Sequence, residues 1–259
     1  MTDMSRPLSV NAKGRRSDQQ GFTLVEMAIV LVIIGLIIGG ILKGQEIVDN
    51  ARVKSQVSQV DSVKAAIATF VDEYNYYPGD DPVATSQLGL AATANGNGDG
   101  LVSSTANTPD SDSAAVSSES DWVWYHLQSS QLVSGVPLGT APTAGDTFSF
   151  QGKLAGTYLW FGDYTFTTNG SSVTDKMIRI TTTRTLTGTM NPGVRVADAL
   201  QIDSKYDDGL PNSGQILATD YSATTCCKGS ACTAAAAVYG LGTGASASSP
   251  YCGLVWEIQ

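Results

Sequence analysis

Residues 22–42 read FTLVEMAIVLVIIGLIIGGIL, a run of 21 residues in which Glu26 is the only charge. Coiled as a helix with a rise of about 1.5 Å per residue, such a run crosses the roughly 30 Å hydrocarbon core of a bilayer. One end of the chain is therefore predicted to need lipid or an apolar partner. A secretory signal sequence would place a small-x-small cleavage site after the apolar run, whereas this chain continues through Gly39, Gly40 and Lys43 into further helix-like sequence. A plain membrane anchor leaves Glu26 unexplained. A carboxylate within an apolar span costs roughly 2.5–3.5 kcal/mol at the helix centre and less near an end, so Glu26 calls for a partner.

Charge divides along the same line. Residues 1–20 carry Arg6, Lys13, Arg15 and Arg16 against Asp3 and Asp18, while the chain as a whole has a formal net charge of −9. Basic residues before the apolar run and acidic ones after it predict that the N-terminus stays in the cytoplasm. Beyond residue 20 no Lys or Arg cluster supplies the counter-charge that phosphate binding needs, which excludes nucleic acid as the primary ligand.

Past the apolar run, Val53, Val57, Val60, Ile67, Phe70 and Tyr74 recur at intervals of three, four or their sum. That spacing predicts an apolar stripe on a continuing helix, with Lys54, Gln56, Gln59, Asp61 and Asp72 on the other side. Tyr77-Pro78-Gly79-Asp80-Asp81-Pro82 is predicted to end it, giving a helix of roughly 80 Å, too long for an ordinary domain. Gly35, Gly39, Gly40 and Gly44 set two G-x-x-x-G spacings, which permit close helix packing in a membrane.

The remainder is predicted to form an α+β head. A short helix is expected over 120–133, and a second from Asn191-Pro192 through Leu200 to about Tyr206. Strands are expected at 147–150, 157–164, 177–185, 215–218 and 254–258, each β-branched or aromatic and bounded by turn residues. All four cysteines, Cys226, Cys227, Cys232 and Cys252, fall near the C-terminus. Their spacing lacks the C-x2-C of a metal site and the single histidine, His126, is distant in sequence, so disulfides are expected. A bond between adjacent cysteines strains the peptide, so Cys226 and Cys227 are expected to pair separately with Cys232 and Cys252, which implies an oxidising, exported location.

The segment Gly21-Phe22-Thr23-Leu24-Val25-Glu26 resembles the processing site of type IV prepilins and of the pseudopilins of type II secretion. The resemblance implies that a prepilin peptidase cuts between Gly21 and Phe22, that Phe22 is then N-methylated, and that Glu26 assists assembly by meeting the Phe22 ammonium of a neighbouring subunit. An amine and a carboxylate in low dielectric attract strongly and relieve each other's desolvation. The motif departs from the family at Gln20, where Lys or Arg is frequent. Taken with the helix and head, it implies a pilin-like α+β fold in which the long membrane-spanning helix packs on a mainly antiparallel sheet. Residues 1–21 would be a cytoplasmic leader, 22–77 the helix (22–42 its transmembrane half, 43–77 its amphipathic half) and 78–259 the head. The stretch 202–211, Ile-Asp-Ser-Lys-Tyr-Asp-Asp-Gly-Leu-Pro, more loosely resembles a segment of bacterial pilin-like proteins.

Two acidic loops are candidates for calcium, the one cofactor the sequence suggests. Asn95, Asn97 and Asp99 place oxygens at alternate positions before a glycine and an apolar residue, as in half of an EF-hand loop, with Asp110, Asp112 or Glu119 to complete the shell. Asp203, Asp207 and Asp208 form the second candidate, although an Asp-Gly turn after a helix explains them as well. No H-E-x-x-H, G-x-S-x-G or P-loop is present, and one histidine makes no triad, so no enzymatic activity is expected. The expected role is that of a structural filament subunit, made in the bacterial inner membrane and assembled with copies of itself and other pilins into a periplasmic or extracellular filament. The alternative is a minor tip pilin whose head captures a surface, DNA or a secreted substrate.

Overall fold

The computed structural model describes residues 22–90, 94–102, 119–136, 150–168, 171–182, 193–220, 226–228, 232, 234, 237–240 and 250–258. The chain divides into two compact units, Met1–Val48 and Asp49–Gln259, so the second unit includes residues 49–77 of the segment assigned to the helix as well as the expected head.

Helix α1 (Leu24–Tyr74) runs through both units. Its first half holds an 18-residue window with a mean hydropathy of 2.8, none of it buried, and is long and apolar enough to cross a membrane. Leu24 is 90% exposed and Leu36 73%. From Val53 onward the same helix is amphipathic: Val53, Val57, Val60, Ile67 and Phe70 are buried, as their spacing predicts, and Val63 joins them, but Gln56 and Gln59, expected on the polar side, are buried too because they bond backbone groups of the head. The helix ends at Tyr74, three residues before the expected Tyr77. Asn75 takes a left-handed conformation (φ 61°) and donates its N–H to the Val71 carbonyl at 2.8 Å, the single-bond form of a left-handed helix cap. Asn tolerates that conformation, so the stop precedes Pro78.

A four-residue turn of helix, α2 (Ala84–Gln87), leads to α3 (Glu119–Ser129), which buries Trp122, Val123, Trp124 and Leu127. Then follow β1 (Phe150–Gln151), β2 (Tyr158–Thr168), β3 (Ser171–Thr181), β4 (Val194–Arg195), α4 (Val196–Tyr206), β5 (Ile216–Asp220) and β6 (Pro250–Glu257). All pairings in the sheet are antiparallel: β2 runs beside β1 and β3, and β6 runs beside β3, β4 and β5. Successive residues alternate faces. Leu159, Phe161, Ile178, Ile180, Leu254 and Trp256 join the buried stripe of α1 in the main core, while Tyr164, Met177, Leu217 and Val255 cluster separately.

Three expected elements need correction. The second helix does not start at Asn191-Pro192, which lie outside the described residues; Val194 and Arg195 pair with β6 first, and α4 begins at Val196. The strand placed at 177–185 starts earlier and stops at Thr181, with 183–185 outside the described residues. The last strand starts at Pro250 and includes Gly253. A Cβ there would sit 2.3 Å from the Thr219 hydroxyl of the paired strand, so any other residue obliges that side chain to move. Residues 147–149 lie outside the described residues.

Polar side chains fasten the helix to the sheet. Gln56 is wholly buried, and its Oε1 accepts the N–H groups of Lys153 (2.7 Å) and Leu154 (3.0 Å), while Gln59 Nε2 donates to the Gln151 carbonyl at 2.8 Å. Arg195 donates Nε and Nη2 to the two carboxylate oxygens of Asp198 (2.7 and 2.9 Å) and pairs with Asp49 at 3.4 Å. Replacing Gln56 by Leu strands the Leu154 N–H, while the Lys153 N–H keeps Gln59 Oε1 at 3.1 Å; one such orphan costs about 1–3 kcal/mol. Denaturant unfolding of Gln56→Leu should therefore show a loss of about 1–3 kcal/mol, despite the added apolar surface; unchanged or higher stability would show that Gln56 is not the fastening.

Candidate functional site

The N-terminus of α1 is closed by two side chains that bond each other. Thr23 is the cap: its hydroxyl accepts the Glu26 N–H at 3.2 Å, and Glu26 Oε2 accepts both the Thr23 N–H at 2.8 Å and the Thr23 hydroxyl at 2.9 Å. This is a reciprocal capping box, in which a carboxylate in the first turn satisfies donors the helix leaves unpaired. The box holds Glu26 through one oxygen and leaves Oε1 without a bond among the described residues. Phe22 is 83% exposed, and Phe22, Glu26, Met27, Ile29 and Val30 line an open apolar depression. Gly21 lies outside the described residues. The T-x-x-E spacing of Thr23 and Glu26 is that of a helix cap, which in the sequence is masked by the apolar run around it.

The loop at 94–102 is organised around a residue the calcium pattern did not include. Asp80, in the turn after α1, is 1% exposed, and its Oδ1 accepts the N–H groups of Gly98 (2.7 Å) and Asp99 (3.1 Å) while its Oδ2 accepts that of Gly100 (2.9 Å). Burial holds the Asp80 carboxyl above its ordinary range, against the lowering effect of these bonds. Gly96 passes so close that a Cβ there would lie 2.3 Å from the Asp80 Cα. The expected calcium ligands point to the same framework. Asn95 Oδ1 accepts the Thr85 N–H, Asn97 Oδ1 that of Asp99, and Asp99 Oδ1 that of Leu101, each at 2.8–2.9 Å. Glu119 Oε1 accepts the Asn97 N–H at 2.9 Å, and oxygens of Asp80, Asp99 and Glu119 lie within 4.8 Å of one another.

The second acidic group does comparable work at the sheet edge. Asp207 Oδ2 accepts the Ile216 N–H at 2.7 Å and the Pro211 carbonyl accepts that of Ala218 at 2.8 Å, so the loop after α4 occupies donors on the outer edge of β5. Asp208 accepts the Leu210 N–H and the Ser213 hydroxyl. Asp203, wholly buried, accepts the Tyr239 hydroxyl at 2.6 Å and the Gly209 N–H at 3.0 Å. Tyr239 also bridges to Cys227, and the disulfides join Cys226 to Cys252 and Cys227 to Cys232, with no bond between the adjacent cysteines. The segment at 226–240 is thereby tied to β6 and to α4.

An apolar helix exposed along its whole first half, with one capped carboxylate at its start and a disulfide-bonded antiparallel head, defines a pilin-like α+β protein. The model of one protein family, described as the prokaryotic N-terminal methylation motif, matches residues 16–42. The chain therefore carries the signature of type IV prepilins and pseudopilins, which spans Gly21, Phe22 and Glu26. No curated protein and no solved structure matches it.

Burial pushes the Asp203 carboxyl up from 3.8 to about 6. A carboxyl raised on folding binds more protons in the folded state, so its contribution to stability is present below pH 3.8 and is lost as the pH rises through 6. Thermal unfolding of wild type and Asp203→Asn between pH 4 and 7 should show the difference between them shifting in favour of the variant as pH rises; a pH-independent difference would contradict this.

Proposed function

We propose that the chain is a structural subunit of a type IV pilus or type II secretion pseudopilus, cut by prepilin peptidase between Gly21 and Phe22 and assembled through its hydrophobic helix. The observation that carries this reading is Glu26 at the head of a fully exposed apolar helix, held by Thr23 through one oxygen with the other open to a donor from outside the chain. The ammonium exposed at Phe22 by cleavage is a donor of the right charge, and Phe22 lines the same depression as Glu26. Before assembly the inner membrane covers the helix, and afterwards neighbouring subunits do so. Proteins bearing this motif are typically structural, and no catalytic role is assigned to the head.

Gly21→Ala should leave the precursor uncut, heavier by the leader, about 2 kDa of the 27.0 kDa chain. Glu26→Ala should be cut normally yet incorporate poorly into filaments. Mass spectrometry of the membrane-resident and filament fractions reads both, and normal trimming of the first variant, or normal incorporation of the second, would refute the assignment.

Calcium at Asn95, Asn97 and Asp99 is proposed as a ligand of the folded loop rather than a requirement for folding, because the oxygens already serve backbone N–H groups. An ion taking them over should raise the melting temperature while exposing the Asp99 and Leu101 amides to exchange. Calorimetry of the full chain in detergent that shows no heat with millimolar calcium would dispose of it.

A further inference from the structure

His126 does no work in the filament chemistry, yet it is wholly buried where four segments meet. It sits on α3, and its ring lies nearly parallel to that of Phe70 on α1, with centroids 6.0 Å apart and planes 19° off parallel. Nδ1 accepts the Gly79 N–H at 2.9 Å, in the turn that follows α1. Nε2 lies 2.8 Å from the Ala94 carbonyl, at the start of the 94–102 loop. A backbone N–H only donates and a carbonyl only accepts, so the ring is neutral with its proton on Nε2.

The only place for a second proton is Nδ1, where it would face the Gly79 N–H. Protonation breaks that bond and sets a charge on a wholly buried ring. None of the charged and titratable groups on the surrounding segments is bonded to the ring among the described residues, although Asp81 Oδ2 in the turn is buried without a hydrogen-bond partner of its own. In the turn, Asp80 is occupied by Gly98, Asp99 and Gly100, and Asp81 Oδ1 by Val83. In the loop, Asp99 is held by Leu101 and Asn97; on α3, Glu119 is held by Asn97, and Asp121 and Tyr125 share the helix; on α1, Glu73 and Tyr74 lie beyond Phe70. The 94–98 end of the loop is tied to the same turn, through Gly96 N–H to the Asp81 carbonyl and Gly98 N–H to the Asp80 carbonyl, and to α2 and α3 through Asn95–Thr85 and Asn97–Glu119. Its far end is tied to the sheet: Val102 and Asp163 of β2 bond each other through both backbone and side chain, and Lys176 of β3 donates to the Gly100 carbonyl at 2.7 Å.

We propose that His126 is an acid-sensitive latch: once charged, it releases the Gly79 turn and the 94–98 end of the loop, while residues 99–102, the sheet and the buried stripe of α1 stay in place. Burial lowers the imidazole from 6.5 to about 4, so the closed state binds fewer protons than the open one and is weakened as the pH falls from 6.5 toward 4. Asp80 and Asp81 act in the opposite sense. Burial raises both carboxyls, and protonating them on acidification favours the closed state.

His126 is the only histidine in the chain, so histidine-selective 15N labelling of the full protein in detergent micelles yields one imidazole to follow. Between pH 7 and 3.5 it should start as the Nε2–H tautomer and titrate well below 6.5, and amide exchange at Gly79 and 94–98, corrected for intrinsic pH dependence, should rise at least tenfold over the same range. Amides of β2, β3 and β6 should keep their protection. Titration near 6.5, an unchanged loop, or simultaneous loss of the strand amides would each overturn the latch. His126→Gln, whose amide can replace both bonds without titrating, should keep the loop closed at the pH where wild type opens; opening at the wild-type pH would assign the trigger to another group. If that variant does not fold, the wild-type titration alone decides.

Discussion

Everything distinctive about this chain follows from one helix whose two halves obey different solvents. Before Val48 no described residue of α1 is buried, although the side chains are mostly Leu, Ile, Val and Met; from Val53 on, the valine, isoleucine and phenylalanine stripe is buried together with Gln56 and Gln59, while Lys54, Asp61 and Asp72 are not. At about 25 cal/mol per Å², each exposed Leu or Ile of the first half forgoes roughly 1.5–3 kcal/mol. The first half is therefore stable only in lipid or against other apolar helices, and Glu26 adds the requirement of a cationic or hydrogen-bonding partner. A soluble monomer satisfies neither. A membrane-resident precursor that later joins a filament satisfies both.

The head uses its carboxylates mainly as acceptors for its own backbone. Asp80 gathers the 94–102 loop, Asp207 occupies the sheet edge, and Asp203 fixes Tyr239 and with it the disulfide segment. Each arrangement places an anion where N–H groups converge, which stabilises loops that contribute little to the apolar core. His126 is the neutral counterpart, holding one of these loops at the end of α1.

Much of this organisation was legible in the sequence. The hydrophobic periods identified both halves of α1, and alternation with β-branched and aromatic residues located the strands. What escaped were decisions made by single residues or by distant partners. Asn75 stops α1 through a backbone conformation that no periodicity records. β4 has two residues, too few for a pattern, and the approach of Thr219 to Gly253 across the sheet is recorded in no local pattern. At the sites, Glu26 was conspicuous because a charge in an apolar run is costly, whereas Thr23 was hidden in a run of good membrane residues. Asp80 resembled any turn aspartate; its three N–H partners lie 18 to 20 residues away.

A helical reconstruction of filaments isolated from cells producing this chain addresses the central claim most directly. The account predicts subunits that begin at Phe22, with the terminal nitrogen of one within about 4 Å of the Glu26 carboxylate of the next, the separation of an ion pair. Filaments lacking the chain, subunits that retain residues 1–21, or a Glu26 carboxylate directed away from every neighbouring N-terminus would contradict it.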